Sequence, residues 1–272
     1  MRKTLKVVAF GGVPVVPSYD TDAKAFITAA NITDSTQQTA INTLVTDLKT
    51  YSIWNKMKAI YPMVGGTAST HKWNLKDPRD LDAAFRLVFN GGMNHSNTGI
   101  LFGGVNGYAD SKLNLFNNYG SSYNNHFSVY YRTNNINSEK IGANDGTYFE
   151  GMSAHICYSD NNTYNDNMGR NSVSNTTYGN SAALHISSLL STTSQKMYRN
   201  GVLKISGNAF SGYSFPSVNF YFGGLCENGT ATSFSNREVA FGSIGDGLTD
   251  AESSTLYTII QNYQTILNRQ VW

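Results

Sequence analysis

Apolar and polar residues alternate with a period of two in several segments after Ile53. Successive side chains of a β-strand point to opposite faces of a sheet, so this period predicts strands with one apolar face. Such a face must be covered by a second sheet or by a helix. The alternating apolar positions are Phe85, Leu87 and Phe89; Phe127, Val129 and Tyr131; Val218, Phe220 and Phe222; and Val239 and Phe241.

Turn signals separate these segments. Gly and Asn tolerate the positive φ that tight hairpins require. Asn200-Gly201 stands between two strand-like runs and predicts a two-residue hairpin. The pattern as a whole predicts a mainly β fold, an antiparallel two-sheet jelly-roll sandwich. Further turn signals are Gly91-Gly92, Asn106-Gly107, Asn144-Asp145-Gly146 and Asn228-Gly229.

Helical spacing appears before and after the strand-rich region. A first short helix is predicted at residues 22–30, and a second follows Asp34, an N-cap residue with Gln37 three positions later. Near the end of the sequence, Thr249 and Glu252 form a capping-box pair that predicts a C-terminal helix. The apolar faces of the two longer helices consist of Ala40, Ile41, Leu44, Val45 and Leu48, and of Leu256, Ile259, Ile260, Tyr263 and Leu267.

Residues 1–20 have a different character. Their apolar side chains are too many for a solvated tail, while two glycines and two prolines prevent a regular helix. We therefore divide the chain into an N-terminal anchoring arm at 1–20, a helical connector at 21–52 and a sandwich ending in a helix at 53–272. The alternative is that the arm adds a strand to its own sandwich. The predicted anchoring residues are Val7, Val8, Phe10, Val13 and Val15.

Composition argues against nucleic-acid binding, a membrane span and a disulfide framework. Charged residues make up 14% of the chain, the formal net charge is +2, and no long run of Lys or Arg occurs, so the basic footprint of a nucleic-acid-binding protein is missing. No segment predicts a membrane span. Cys157 and Cys226 lie in apolar contexts that predict buried free thiols rather than a disulfide framework.

Catalytic and metal-binding patterns are also missing. Retaining glycoside hydrolases of sandwich folds need two close carboxylates, and no glutamate here has an acidic residue two to four positions onward. No Gly-x-Ser-x-Gly elbow occurs, and the five histidines lack metal-ligand spacing. We therefore predict no catalytic residues, no metal and no cofactor. Three oxygen-rich stretches, 77–82, 144–146 and 160–166, are interpreted as turns rather than calcium sites.

Clusters of tyrosine and asparagine offer aromatic faces beside amide donors, which suits a sugar ring. The same residues also serve polar loops that only need to turn and stay soluble, so both interpretations stay open. The candidate glycan-binding residues are Tyr119, Tyr123, Asn124, Asn161 and Tyr164.

Two stretches carry a family resemblance. Residues 196–203 (KMYRNGVL) look like a hairpin common in concanavalin A-like and laminin G-like domains, and residues 241–252 (FGSIGDGLTDAE) resemble the end of such domains in tailed-phage virion proteins. Further stretches, 26–30, 53–62 and 82–87, are similar to stretches in such phage proteins. The resemblance is closest to proteins from phages of gut bacteria, including crAss-like ones. The resemblance implies a structural virion protein of the head or tail, such as a fibre or decoration protein.

That resemblance implies partners as well. We expect contacts with other virion proteins, a homo-oligomer for which a trimer is one arrangement to test, and a bacterial surface glycan as a further ligand. Two alternatives stay open: a receptor-binding lectin module that recognises bacterial surface polysaccharide, and a divergent glycoside hydrolase. The missing carboxylate pair disfavours the hydrolase.

Overall fold

The computed structural model describes residues 19–147 and 150–271. The predicted anchoring residues Val7, Val8, Phe10, Val13 and Val15 lie outside the described residues, so the anchoring arm stays a prediction. No helix of the described part is long and apolar enough to cross a bilayer.

The prediction of a two-sheet β-sandwich is confirmed. One sheet has both faces covered and is called the inner sheet; the other is called the outer sheet. The inner sheet runs in the order β13 (Val202–Gly207), β12 (Gln195–Arg199), β11 (Ala183–Leu189), β6 (Asn125–Tyr131), β17 (Glu238–Gly245), β4 (Gly99–Phe102) and β3 (Met93–Ser96), with β1 (Met57–Tyr61) paired to β17.

The outer sheet is antiparallel apart from one parallel pair, β15 with β7. Its order is β10 (Asn171–Ser174), β9 (Asn162–Asn167), β8 (Gly151–His155), β7 (Ile141–Asn144), β14 (Asn219–Phe222), β5 (Tyr108–Asn114) and β2 (Val88–Asn90), with β15 (Leu225–Glu227) and β16 (Thr230–Thr232) attached beside β7.

Helices cover the far face of the inner sheet. The first two are α1 (Thr21–Ala29) and α2 (Ser35–Thr50), and α6 (Asp250–Ile266) follows the last strand. Their apolar faces share a second hydrophobic core with the inner sheet, so residues 21–52 pack on the sandwich together with the C-terminal helix. Shorter helices are α3 (Ala68–His71), α4 (Leu115–Tyr119) and α5 (Asn175–Tyr178), and single 3-10 turns span Trp54–Lys56 and Asp82–Ala84.

The predicted helix signals are confirmed. The Asp34 carboxylate accepts a hydrogen bond from the Gln37 backbone N–H at 2.8 Å, so it caps α2. Thr249 and Glu252 form a reciprocal capping box at the start of α6. Asn200 and Gly201 adopt positive φ and join β12 to β13, as the hairpin signal predicts.

Strand β6 explains how the two cores are separated. Phe127, Val129 and Tyr131 point into the core between the sheets, whereas Tyr130 belongs to the core beneath the helices. All seven residues of the strand are buried, because both faces of the inner sheet are covered. The alternation of polar and apolar residues in the sequence predicts one buried face, and does not predict the second core beneath the helices.

Two predicted strands differ from the structure. The alternation at Phe85 predicts a strand, but Asp82–Ala84 form a 3-10 turn, and Phe85 is left-handed with φ 58°. In β17 a register shift between Val239 and Phe241 sends these two residues into different cores. A β-bulge inserts one residue and so reverses the facing that a period of two predicts.

Candidate functional site

A polar cleft of about 260 Å³ opens on the exposed face of the outer sheet. We call it the tyrosine cleft. Cross-strand partners lie on the same face of a sheet, and two such pairs line the cleft: His155 with Tyr164, and Asn144 with Glu227. The lining residues are Lys140, Asn144, Gly146, His155, Tyr158, Asp160, Tyr164, Arg170, Leu225, Glu227 and Ser233.

Alternation along β8 and β9 positions these side chains. Met152 and Ala154 fill the core between the sheets, so His155 faces outward. The parallel pairing of β15 with β7 adds Leu225 and Glu227 to the same face. The cleft therefore depends on one apolar and one polar face of the same strands.

The loop between β8 and β9 brings Tyr158 over the cleft. The Tyr158 backbone N–H donates to the Asn162 carbonyl at 2.7 Å, and the Asn161 N–H donates to the Tyr158 carbonyl at 3.1 Å. Asn161 takes φ 64°, a left-handed conformation that asparagine tolerates better than most residues. As a result the ring of Tyr158 lies 4.5 Å from that of His155 and 6.1 Å from that of Tyr164, both edge-on.

Arg170 fixes the second tyrosine. Its guanidinium carbon lies 4.3 Å from the centre of the Tyr164 ring, and its Nε and Nη2 donate to the two carboxylate oxygens of Asp166 at 2.8 and 3.1 Å. The Tyr164 hydroxyl donates to the Asp160 carboxylate. Held at its face and at its hydroxyl, Tyr164 is a pre-oriented aromatic wall.

Asp166 also organises the charges beneath the cleft. The ammonium of Lys140 lies 3.0 Å from Asp166, and both side chains are buried. Burial lowers the pKa of Lys140, while attraction to Asp166 opposes that shift. Both cations of the cleft, Lys140 and Arg170, are therefore paired with one carboxylate, and Asp160 and Glu227 add two more negative charges at its walls.

His155 contributes an uncharged ring. Its Nδ1 lies 3.0 Å from the Glu139 carbonyl, which can only accept, so the proton is on Nδ1. Burial, followed by the nearby charge of Lys140, lowers the pKa of His155 to about 4. At neutral pH the imidazole is neutral, and Nε2 lies 4.0 Å from Asp166.

Of the five sequence-predicted glycan residues, Tyr164 lines the cleft, and Asn161 lies in the turn that positions Tyr158. Tyr119 is wrong as a ligand-facing residue: it is 6% exposed and its hydroxyl donates to the Gly245 carbonyl at 2.9 Å. Leu115 and Tyr119 are one helical turn apart on α4, and both face the core.

Tyr123 and Asn124 bind the scaffold. The Tyr123 hydroxyl donates to the Phe210 carbonyl at 3.0 Å, and Asn124 Oδ1 accepts from the Gly247 N–H at 2.8 Å. Both residues stabilise loop contacts outside the cleft lining. The five predicted residues thus do not form one site.

The oxygen-rich stretch at 77–82 is occupied by ion pairs. Asp77 pairs with Arg79 at 2.5 Å, and Asp80 lies 2.5 Å from Lys72 and 2.7 Å from Arg86. Among the described residues, no group of three or more His, Cys, Asp or Glu side chains could hold a metal ion. Cys157 and Cys226 are buried and free, as predicted.

Sequence reasoning missed His155, Arg170, Lys140 and Glu227. The spacing of Asp166 and Arg170 was a usable signal, since this acid–base pair brackets the end of the strand that contains Tyr164. Glu227 carried no local signal, because it joins the cleft through the parallel contact of β15 with β7.

No family model matches this sequence, and no curated protein matches it. Solved structures do match in fold. One is of botulinum neurotoxin type C, which depends on interaction with two ganglioside molecules to enter cells; it is 12% identical, with 78% of this chain and 53% of that chain covered and a TM-score of 0.51. Another is the binding domain of botulinum neurotoxin DC in complex with SialylT, at 13% identity, 76% and 52% coverage and a TM-score of 0.51.

A mutant sialidase of Trypanosoma rangeli with trans-sialidase activity matches at 13% identity, 82% and 39% coverage and a TM-score of 0.47. This chain spans about half the length of the two toxin structures and less of the sialidase. At such identities the likeness concerns the fold alone. The chain is thus a two-sheet β-sandwich similar in fold to neurotoxin binding domains.

Proposed function

We propose that this chain is a non-catalytic glycan-binding module of a tailed-phage virion, and that its tyrosine cleft holds an uncharged saccharide. The observation that carries the proposal is the pair of tyrosine rings, one of them fixed by Arg170 and Asp160, beside amide and carboxylate groups that line the same cleft.

The aromatic walls suit a sugar ring. A pyranose presents apolar C–H faces and a rim of hydroxyls, so it binds best where an aromatic face lies beside fixed hydrogen-bonding groups. Tyr158 and Tyr164 line the cleft with aromatic rings, Arg170 covering one face of Tyr164, and Asn144, Asp160 and Glu227 supply acceptors for hydroxyl donors. Tyr164 is held by its neighbours in advance, which reduces the entropy lost on binding.

The charges favour a neutral ligand. Lys140 and Arg170 are both paired with Asp166, while Asp160 and Glu227 line the walls. A carboxylated sugar would be repelled by the carboxylates of Asp160 and Glu227. The two cations among these groups already have Asp166 as their ionic partner. This distinguishes the proposed ligand from the gangliosides and the sialylated compound named for the toxin structures.

The virion context rests on the sequence resemblance at residues 196–203 and 241–252. In this proposal the chain is a head or tail component that contacts other virion proteins through residues 1–20 and assembles as a homo-oligomer. Bacterial surface polysaccharide is then the natural source of the glycan. The test is mass spectrometry of gradient-purified particles, in which the chain is expected at a copy number typical of a fibre or decoration protein; its absence from particles would remove the virion assignment.

The non-catalytic part rests on the missing carboxylate signature of sandwich-fold hydrolases. It is tested by incubating the purified chain with β-glucans and host polysaccharide. We expect no release of reducing sugar. Release that is lost in Glu227→Gln would instead assign a hydrolase.

The glycan proposal is tested on an array that contains neutral and sialylated oligosaccharides. The wild-type chain is expected to bind neutral members, and the Tyr158→Ala, Tyr164→Ala double variant is expected to lose that binding. Tyr51→Ala removes a tyrosine that is 58% exposed at the end of α2 and serves as the control. Binding confined to sialylated members would contradict the charge argument, and binding unchanged in the double variant would contradict the site.

A further inference from the structure

A second concavity of about 450 Å³ lies at another place on the sandwich. We call it the asparagine groove. It is bounded by the 3-10 turn Asp82–Ala84, by α4, and by the strands β5 and β14, which pair with each other. The lining residues are Asp82, Ala83, Phe85, Lys112, Asn114, Asn117, Asn118 and Asn219.

The amides of the groove are oriented by the scaffold. Asn118 Nδ2 donates to the Asn114 carbonyl at 2.9 Å, and Asn219 Nδ2 donates to the Asp110 carboxylate at 3.3 Å. In both residues the scaffold bond uses the amide nitrogen, so the amide oxygen is available to accept from a ligand hydroxyl. The exposed Asn117 lies at the rim and adds a side-chain amide with both a donor nitrogen and an acceptor oxygen.

Two bulky residues of the groove have unusual backbones. Phe85 and Lys112 both adopt φ 58°, in the left-handed region that large side chains rarely occupy. Such conformations cost free energy and persist where the surroundings enforce them, often at ligand sites. Here the Tyr61 hydroxyl donates to the Phe85 carbonyl at 2.6 Å, and the Lys112 N–H donates to Asp110 at 2.8 Å.

The charges of the groove are balanced. Lys112 Nζ lies 2.9 Å from Asp110, and Asp82 lies 3.0 Å from Arg86. A ligand with a net charge would have to compete with one of these pairs. An uncharged ligand with hydroxyl groups meets an aromatic ring, oriented amides and neutralised ions, which is the chemistry of a saccharide site.

We infer that the asparagine groove is a second saccharide site, which binds an uncharged sugar ring against Phe85 and the amides of Asn117, Asn118 and Asn219. It extends the proposed glycan binding but does not depend on the tyrosine cleft, since the two sites share no lining residue. Two sites on one chain would let a single copy hold two sugars of one polysaccharide, so that weak individual contacts add through avidity.

The experiment follows side-chain amide signals of protein labelled with ¹⁵N-asparagine during titration with galactose, glucose, mannose, N-acetylglucosamine and N-acetylgalactosamine in turn. Signals are assigned from single Asn→Ala variants. We expect saturable shifts at Asn117, Asn118 and Asn219 for at least one sugar, and separate shifts at Asn144 in the tyrosine cleft.

Variants separate the two sites. Phe85→Gly removes the aromatic ring at a backbone position that glycine adopts readily, so the fold is expected to persist. It should weaken the shifts at Asn118 and Asn219 at least fivefold in apparent affinity and leave those at Asn144 unchanged. Phe116→Ala, which removes a neighbouring ring that is 50% exposed and outside the groove lining, is the control and should change neither set.

The outcomes are distinct. Shifts at Asn144 alone would overturn the groove and leave the proposed cleft standing. Shifts at the groove alone would overturn the cleft and support the groove. No shift at either place with any of the five sugars would overturn both.

Discussion

Four histidines are held uncharged inside the folded chain, and their titration should govern its stability in acid. Burial is the main cause in each case: it lowers the pKa of His126 and His155 to about 4, and that of His71 and His185 to about 3. In the unfolded chain these residues titrate near pH 6.5. The unfolded state therefore takes up protons first as the pH falls.

The sign and size of the effect follow from linkage. Because the folded pKa is below the unfolded one, stability is complete above about pH 6.5 and declines as the pH falls toward about 4 for His126 and His155 and about 3 for His71 and His185. Each buried histidine contributes a slope of about 1.4 kcal/mol per pH unit, and four together give about 5.5 kcal/mol per unit. Single domains are stable by about 5–15 kcal/mol, so acid unfolding is expected between about pH 4 and 5.5.

His185→Gln tests this reasoning. His185 is fully buried, with Nε2 donating to the Ser181 carbonyl at 2.8 Å and Nδ1 accepting from the Tyr178 hydroxyl at 2.5 Å. Glutamine retains a donor and an acceptor but does not titrate. We expect a loss of about 1–3 kcal/mol at pH 7.5 from imperfect hydrogen bonding, and a stability slope between pH 6 and 5 that is shallower by about 1.4 kcal/mol per unit.

The assay is urea unfolding followed by intrinsic fluorescence at half-unit steps from pH 7.5 to 5. This pH range lies above the range in which carboxylates with lowered pKa values begin to contribute to the pH dependence of stability. Those carboxylates are Asp20, Asp250 and Glu252. A slope in His185→Gln equal to that of the wild type would refute the idea that buried neutral histidines set the acid limit.

Three further predictions concern the scaffold. Arg269→Met should destabilise the chain by about 3 kcal/mol or more, because the fully buried guanidinium donates to the carbonyls of Pro62, Met63 and Ala240 at 2.7 to 2.8 Å; a melting temperature within 2 °C of wild type would contradict this. Gly142→Ala should prevent formation of the cleft, since φ is 114° and an added Cβ would lie 2.1 Å from the Met152 carbonyl oxygen; soluble, glycan-binding protein would be the contrary result. Asp34→Ala should lower the free energy of unfolding in urea by about 1 kcal/mol through loss of the α2 cap. Asp34→Asn, which retains a capping oxygen, should lower it less, and equal losses would argue against capping.

Local rules account for the features that the sequence predicted well. A cap such as Asp34 or Thr249 acts within one helical turn, and the Asn200-Gly201 hairpin is set by two backbone conformations. The apolar face of β6 also followed from its period, since Phe127, Val129 and Tyr131 need only a facing layer. These signals depend on neighbours in sequence.

The candidate site depends on neighbours in space. Tyr119 is drawn into the core by its position on α4, so an aromatic residue beside two asparagines was no evidence of a sugar site. The bulge in β17 is a property of its pairing with β6. Glu227 reaches the cleft through the parallel pair of β15 with β7, which no hairpin signal in the sequence predicts. Among the five predicted glycan residues, Tyr164 alone combined a local aromatic signal with an outward strand position.

The most direct test of the central claim is calorimetric titration of the wild-type chain with the best neutral oligosaccharide from the array, beside Tyr164→Ala, Tyr164→Phe and Tyr51→Ala. We predict at least a tenfold weaker Kd for Tyr164→Ala, about 1.4 kcal/mol, because the ring that Arg170 and Asp160 hold is lost. Tyr164→Phe, which keeps the ring, should lose less, and Tyr51→Ala should match the wild type. Equal affinity in Tyr164→Ala and wild type would contradict the claim that an uncharged glycan binds in the tyrosine cleft.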